Sequence, residues 1–151
     1  MRLTTAFVLI LLAQLFSADS SQAQSSNVIG NWKVEINFNN GQKRVLRFEA
    51  LASGKGSFLP EGPGPAWVDP AQPSTAAWTQ PDQASVTFSG PVQFPLGNVG
   101  IDRGTLVLKG KIGADGAITG EASFFSLHQD SPDSTGKPSK AGTFRAIRAA
   151  Q

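Results

Sequence analysis

The chain has no cysteine, no tyrosine, one histidine and one methionine. Without cysteine there is no disulfide, no thiolate nucleophile, no thiolate-bound metal and no lipid-carrying thiol, so the fold has to stand on packing alone. The lone His128 bars a multi-histidine metal centre, and any mechanism needing a histidine base has to use it. Charge is sparse as well: Asp, Glu, Lys and Arg make up 16% of the residues, and the formal net charge is +2. Affinity for a phosphate backbone needs a dense basic patch. Here Lys33, Lys43, Arg44, Arg47, Lys109 and Lys111 alternate with apolar residues instead, as the solvated outside of a sheet does, and no nucleic-acid partner is expected.

Long apolar runs are missing apart from one. Leu3 to Phe16 follows Arg2 and precedes Ser21-Gln22-Ala23, and this positive start, apolar core and small-residue site predict a signal peptide over 1–23, cleaved before Gln24. The run is too short to span a bilayer, and no second one follows, so no membrane span is expected. Export to the periplasm or the extracellular space is the expectation. Of the 151 residues, 24–151 then form one domain, long enough to bury a real core.

What is present is alternation. Asn31 to Phe38 places Trp32, Val34, Ile36 and Phe38 on one face and Asn31, Lys33, Glu35 and Asn37 on the other, a half-buried strand. In the next strand, Lys43 to Leu51, the apolar face holds Leu46, Phe48 and Ala50. A two-residue Asn40-Gly41 turn would set Val34 beside Arg47. A three-residue Asn39-Asn40-Gly41 loop sets Val34 beside Leu46 and Trp32 beside Phe48, so the three-residue loop is predicted, with Gly41 in the left-handed conformation. The same register puts Glu35 diagonal to Lys43 and Arg47, a favourable arrangement on the exposed face. A second such loop, Ala114-Asp115-Gly116, pairs Leu106, Leu108 and Ile112 with Phe124, Ala122 and Ile118, and Lys109 with Glu121. A third pair, Ala76–Gln80 and Ala84–Ser89, turns at Pro81-Asp82 with Trp78, Val86 and Phe88 inward. Gly54–Leu59 and Gly142–Arg148 bring the tally to about eight strands, with no helical period anywhere. The expected fold is all-β: an eight-stranded antiparallel up-and-down barrel, with a two-sheet β-sandwich as the rival. A membrane-spanning barrel is rejected for its missing aromatic girdles and short strands.

Two stretches break the pattern. Glu61 to Pro73, with prolines at 63, 65, 70 and 73 and Pro60 just before, cannot carry a ladder and is a loop. Trp67 in its middle is either a lid over a cavity or a plug on the body. Gln129 to Ala141 is a polar loop.

Gly30-Asn31-Trp32 at the start of the first strand, some eight strands, and an arginine in the last one, Arg145 or Arg148, resemble the calycin plan of lipocalins and avidins. The resemblance implies a ligand-holding barrel closed at one end by a guanidinium lying over the Trp32 indole. Gly113-Ala114-Asp115-Gly116-Ala117-Ile118-Thr119-Gly120 is similar to a hairpin of bacterial avidins. The lack of tyrosine and the positions of Trp67 and Trp78 speak against biotin as the ligand.

Chemistry is thinly supplied. His128 with Asp130 and Asp133 spells His-x-Asp-x-x-Asp, but in a Ser- and Pro-rich loop it reads as solvated rather than metal-binding. Gly54-Lys55-Gly56-Ser57 lacks the spacing and the following helix of a phosphate cradle. There is no Gly-x-Ser-x-Gly elbow, and the inward positions assigned above carry no titratable residue, which argues against catalysis inside the barrel. Neither cofactor nor metal is expected. The leading reading is a binding module holding a small apolar ligand in the barrel mouth, lined by Phe48, Trp78, Phe88 and Phe124. The alternative is an exported interaction or inhibitor module acting on a protein partner through the 61–73 loop and Trp67. An enzyme ranks last.

Overall fold

The alternating segments form eight strands, and the last pairs with the first. They are β1 (Gly30–Phe38), β2 (Lys43–Ala50), β3 (Lys55–Glu61), β4 (Ser74–Thr79), β5 (Ser85–Pro95), β6 (Ile101–Ile112), β7 (Ile118–Ser126) and β8 (Lys140–Arg148). The computed structural model describes residues 27–62, 72–127 and 136–150. The proposed leader, Trp67, His128, Asp130 and Asp133 lie outside that set. Every strand is antiparallel to its neighbour in chain order, and β8 pairs with β1, so the sheet closes into a barrel. Closure excludes the sandwich.

Both three-residue loops form as the parity argument requires. Phe38 and Gln42 bracket Asn39-Asn40-Gly41, with the Phe38 N–H donating to the Gln42 carbonyl at 2.9 Å and Gly41 at φ +83°. Gly113 and Ala117 do the same around Ala114-Asp115-Gly116 at 2.8 Å, with Gly116 at φ +75°. Trp32 accordingly faces Phe48, Val34 faces Leu46, and Lys109 faces Glu121. One surface expectation changes: Glu35 pairs along its own strand with Lys33 at 3.2 Å, while Arg47 turns to Glu61 on β3 at 2.5 Å.

The interior is a stack of aromatic rings. Phe48 touches Phe58 and Phe88, with centroids 5.1 and 4.3 Å apart, and Phe124 touches Phe94 at 5.6 Å. Inward glycines make room for these rings. A Cβ on Gly56 would lie 2.7 Å from the Phe48 Cζ, one on Gly104 2.6 Å from the Phe124 Cζ, and one on Gly110 2.7 Å from the Phe144 Cζ. Burying each ring contributes about 2 kcal/mol. Apolar side chains fill the inside along most of the barrel, the reverse of a membrane barrel with a polar lumen. Among the described residues, no helix is long and apolar enough to cross a membrane.

The hairpin of β5 and β6 is longer than the sequence reading allowed, with pairs running from Ser85↔Lys111 to Pro95↔Ile101. β5 runs on through Gly90, Pro91 and Pro95, past the last pair of its ladder with β4, Ala77↔Ser89. Among the described residues, no ladder partner lies on that side of β5 beyond Ser89, the condition under which a strand accepts proline.

Candidate functional site

The two ends of the barrel are built differently. At the first, Val28 is fully buried and its carbonyl accepts from the Trp32 indole N–H at 2.7 Å. The Arg148 guanidinium lies 4.1 Å from the Trp32 ring centroid and donates to the carbonyls of Ile29 and Asn27. Desolvation of this guanidinium lowers its pKa from the ordinary arginine value. Of the two candidate arginines the closing one is therefore Arg148; Arg145 faces outward and pairs with Asp115 at 3.0 Å. Trp78 ties the same end down, its indole N–H donating to the Leu51 carbonyl at 2.8 Å. This end is sealed.

The opposite end carries the 39–41 and 96–100 turns, and there β3 ends at Glu61, β4 begins at Ser74, β7 ends at Ser126 and β8 begins at Lys140. Its floor is aromatic. The ring of Phe124 leans over Gly104, touches Phe94, and meets Phe38 edge-on at 6.5 Å. Above these rings stand charged residues at inward positions beyond those assigned from the sequence. Asp102 shares the face of Leu106 and Leu108, and is the one polar residue that is buried among the described residues. Lys140 pairs with inward Phe124, and Arg44 with inward Ile36.

These groups form a network. The Lys140 ammonium donates to Asp102 Oδ2 at 2.5 Å and to Gln42 Oε1 at 2.8 Å, joining β8, β6 and the end of the first turn. Asp102 Oδ1 accepts from the Ser126 hydroxyl at 3.2 Å. The Ser139 hydroxyl accepts from the Ser126 N–H at 2.9 Å and donates to the Phe124 carbonyl at 2.8 Å. The side chains of Lys140 and Asp102 are only 18% and 11% exposed, so the pair is largely desolvated. Lys140 Nζ lies 5.6 Å from the Phe124 centroid and the Arg44 guanidinium 5.8 Å from that of Phe94, two cations over two touching rings. With Asp102 engaged by Lys140 and Ser126, the arrangement fixes charge rather than offering a free base. No group of three or more His, Cys, Asp or Glu among the described residues is placed to hold a metal ion.

The aromatic residues expected to line the mouth are spread along the barrel axis. Phe48, Phe88 and Phe124 are each 0% exposed and Trp78 is 9%. Trp78 belongs to the sealed end, Phe48 sits opposite Trp32, and Phe88 sits opposite Trp78. Of the four, Phe124 lies towards the opposite end, where it packs with Phe38 and Phe94, themselves 5% and 2% exposed. The charged residues were missed for a local reason. Gly104 interrupts the apolar run two residues after Asp102, and Arg44 was counted among outer charges although it shares parity with Leu46. Extending each alternation outward from its secure inward residues, across the glycine, finds both.

Comparison with protein families, with curated proteins and with solved structures gives no match.

Proposed function

We propose that this chain is a small exported binding module whose ligand-receiving face is the barrel end opposite the Trp32–Arg148 closure, at the rim above the buried rings of Phe38, Phe94 and Phe124. The observation that carries this reading is the asymmetry of the ends. One is sealed by an indole, a guanidinium and backbone carbonyls; the other sets fixed polar groups over aromatic rings, the mixture that small-molecule sites use to bind and orient. The 39–41 and 96–100 turns lie at the same end, and connections on a rigid scaffold are where recognition is usually placed. The calycin likeness and the expected export signal agree with it.

Native mass spectrometry of protein purified from its own host tests the reading. A retained small molecule that is lost in Phe94→Ala supports it, and a chain that neither retains nor takes up apolar molecules refutes it. A protein-interaction role is favoured by one observation: Val99 and Leu127, on this same rim, are 86% and 75% exposed. A co-purifying subunit released by Val99→Ser and Leu127→Ser would select that role instead.

A further inference from the structure

We propose that Asn40 is a site of spontaneous covalent modification, losing its side-chain ammonia to attack by the backbone nitrogen of Gly41 and leaving aspartate or isoaspartate in the turn. Asn40 and Gly41 form the only Asn-Gly step in the chain, and both are exposed at the tip between β1 and β2. Gly41 stands at φ +83°, and among the described residues a Cβ built on it would meet nothing within 4 Å. Neither a side chain of its own nor a neighbour obstructs ring closure there. Asn40 Oδ1 accepts from the Gln42 N–H at 3.1 Å. This bond lays the side-chain amide along the turn. It also puts a donor on the oxygen that takes up negative charge when the amide carbon is attacked.

In the reaction the Gly41 amide gives its proton to solvent, its nitrogen bonds to the Asn40 Cγ, and the Cγ–Nδ2 bond breaks, releasing ammonia and leaving a cyclic imide. Water then adds to one of the two imide carbonyls. Opening at Cγ yields aspartate; opening at the main-chain carbonyl yields isoaspartate, whose backbone is longer by a methylene. The Gly41 N–H donates to the Phe38 carbonyl at 2.9 Å, so attack follows the opening of one bond at a hairpin tip, where local opening costs least. The other asparagines are less well placed. Asn27 and Asn98 precede β-branched valines, Asn39 precedes a residue that carries a side chain, and Asn31 and Asn37 lie in the ladder of β1. The second turn supplies the contrast. Asp115 precedes Gly116, which stands at φ +75°, and its Oδ1 accepts from the Ala117 N–H at 3.1 Å in the same way. That N–H, and then Arg145, hold the Asp115 carboxyl below the ordinary carboxylate range, and an ionised carboxylate has no leaving group to match ammonia. Isoaspartate at position 40 would lengthen a loop whose length sets the strand register. The strain would fall on Gln42, whose Oε1 accepts from Lys140 at 2.8 Å.

The test is to hold the folded full chain in warm, mildly alkaline buffer beside a synthetic peptide of residues 37–43, and to sample both until the peptide has converted. Peptide mapping by mass spectrometry locates the modified residue, and an isoaspartate methyltransferase counts isoaspartate. In the folded chain Asn40 is expected to convert at least about tenfold faster than any other asparagine, a ratio that a small difference in barrier produces, with no isoaspartate at position 115. Asp115→Asn gives the second turn an amide in place of its carboxylate, and conversion should then appear at position 115 as well. Asn40→Ser keeps an acceptor for the Gln42 N–H and should abolish ammonia release from the first turn. Asn40 still intact in the folded chain when the peptide has converted overturns the proposal, as does modification spread evenly over the asparagines. No conversion at position 115 in Asp115→Asn overturns the role given to the turn geometry.

Discussion

Truncating Trp32 to alanine removes an indole that is 1% exposed, sits opposite Phe48, and carries the contact with Arg148 that seals one barrel end. Loss of so large a buried ring costs about 3 to 5 kcal/mol. Two further contacts go with it. The Val28 carbonyl loses the indole N–H held at 2.7 Å, a deletion of about 1 kcal/mol for a neutral hydrogen bond. The guanidinium loses its ring, worth roughly 0.5 to 1 kcal/mol at a partly exposed site. These overlap with the truncation rather than adding to it in full, so about 4 kcal/mol is expected for Trp32→Ala. In a domain of this size that lowers Tm by roughly 10 to 20 °C. Trp32→Phe keeps a ring in the barrel but loses the N–H, and should cost only about 1 to 2 kcal/mol. Urea titration followed by far-ultraviolet circular dichroism gives both values. A double-mutant cycle with Arg148→Met isolates the stacking, with a coupling of about 0.5 to 1 kcal/mol. A Trp32→Ala variant within about 1 kcal/mol of wild type would refute the closure argument, because core truncations of this size do not cost so little.

Gly104→Ala is expected to destabilise by about 1 to 3 kcal/mol through overpacking, since its Cβ would meet the Phe124 Cζ at 2.6 Å; unchanged urea stability would show that the ring yields freely. Lys140→Met leaves Asp102, among the described residues, with the Ser126 hydroxyl alone, at a cost of about 2 to 3 kcal/mol for a largely buried charge that loses its partner. Lys140→Met with Asp102→Leu should recover most of that loss, because a largely buried pair is worth little more than apolar residues of similar volume. If the double variant is as unstable as the single one, the network contributes through its hydrogen bonds rather than its charges. The acid limb of the stability curve has two named contributors. The Asp82 carboxyl is held below its ordinary value of 3.8 by the backbone N–H groups of Ala84 and then Ser85, and Asp115 by that of Ala117 and then by Arg145. A carboxyl with a depressed folded-state pKa stabilises the fold above its unfolded value, and that contribution is lost as pH falls through the folded one. Stability should therefore decline from near pH 3.8 downward, and Asp82→Asn with Asp115→Asn should flatten this decline; an unaltered acid limb in thermal melts across that range would reject the assignment.

The barrel was legible in the sequence because period two leaves little freedom. Once Trp32, Val34, Ile36 and Phe38 share a face, a one-residue slip at Asn39-Asn40-Gly41 would put Arg47 into the core, so the loop length follows from parity. The rim was not legible for the same reason in reverse. Gly90, Pro91 and Gly104 interrupt the alternation in β5 and β6, and the eye stops where the period does. Gln42, Asp102 and Lys140 come from separate hairpins and meet only when the sheet closes, which no local pattern announces. Arg44 was readable in principle, being two residues from Leu46 on the same strand. Its charge argued for the outside, and the end of a barrel is where that rule relaxes.

The most direct test of the open end as the binding face is a map of backbone amide shifts in nitrogen-labelled protein titrated with 2-naphthylmethanol. Shifts are expected at Gln42, Arg44, Phe94, Ser126 and Leu127, with Trp32, Val28 and Arg148 at the sealed end unmoved. Shifts concentrated at the sealed end or along the outer face of the strands, or none at saturating probe, would contradict the account.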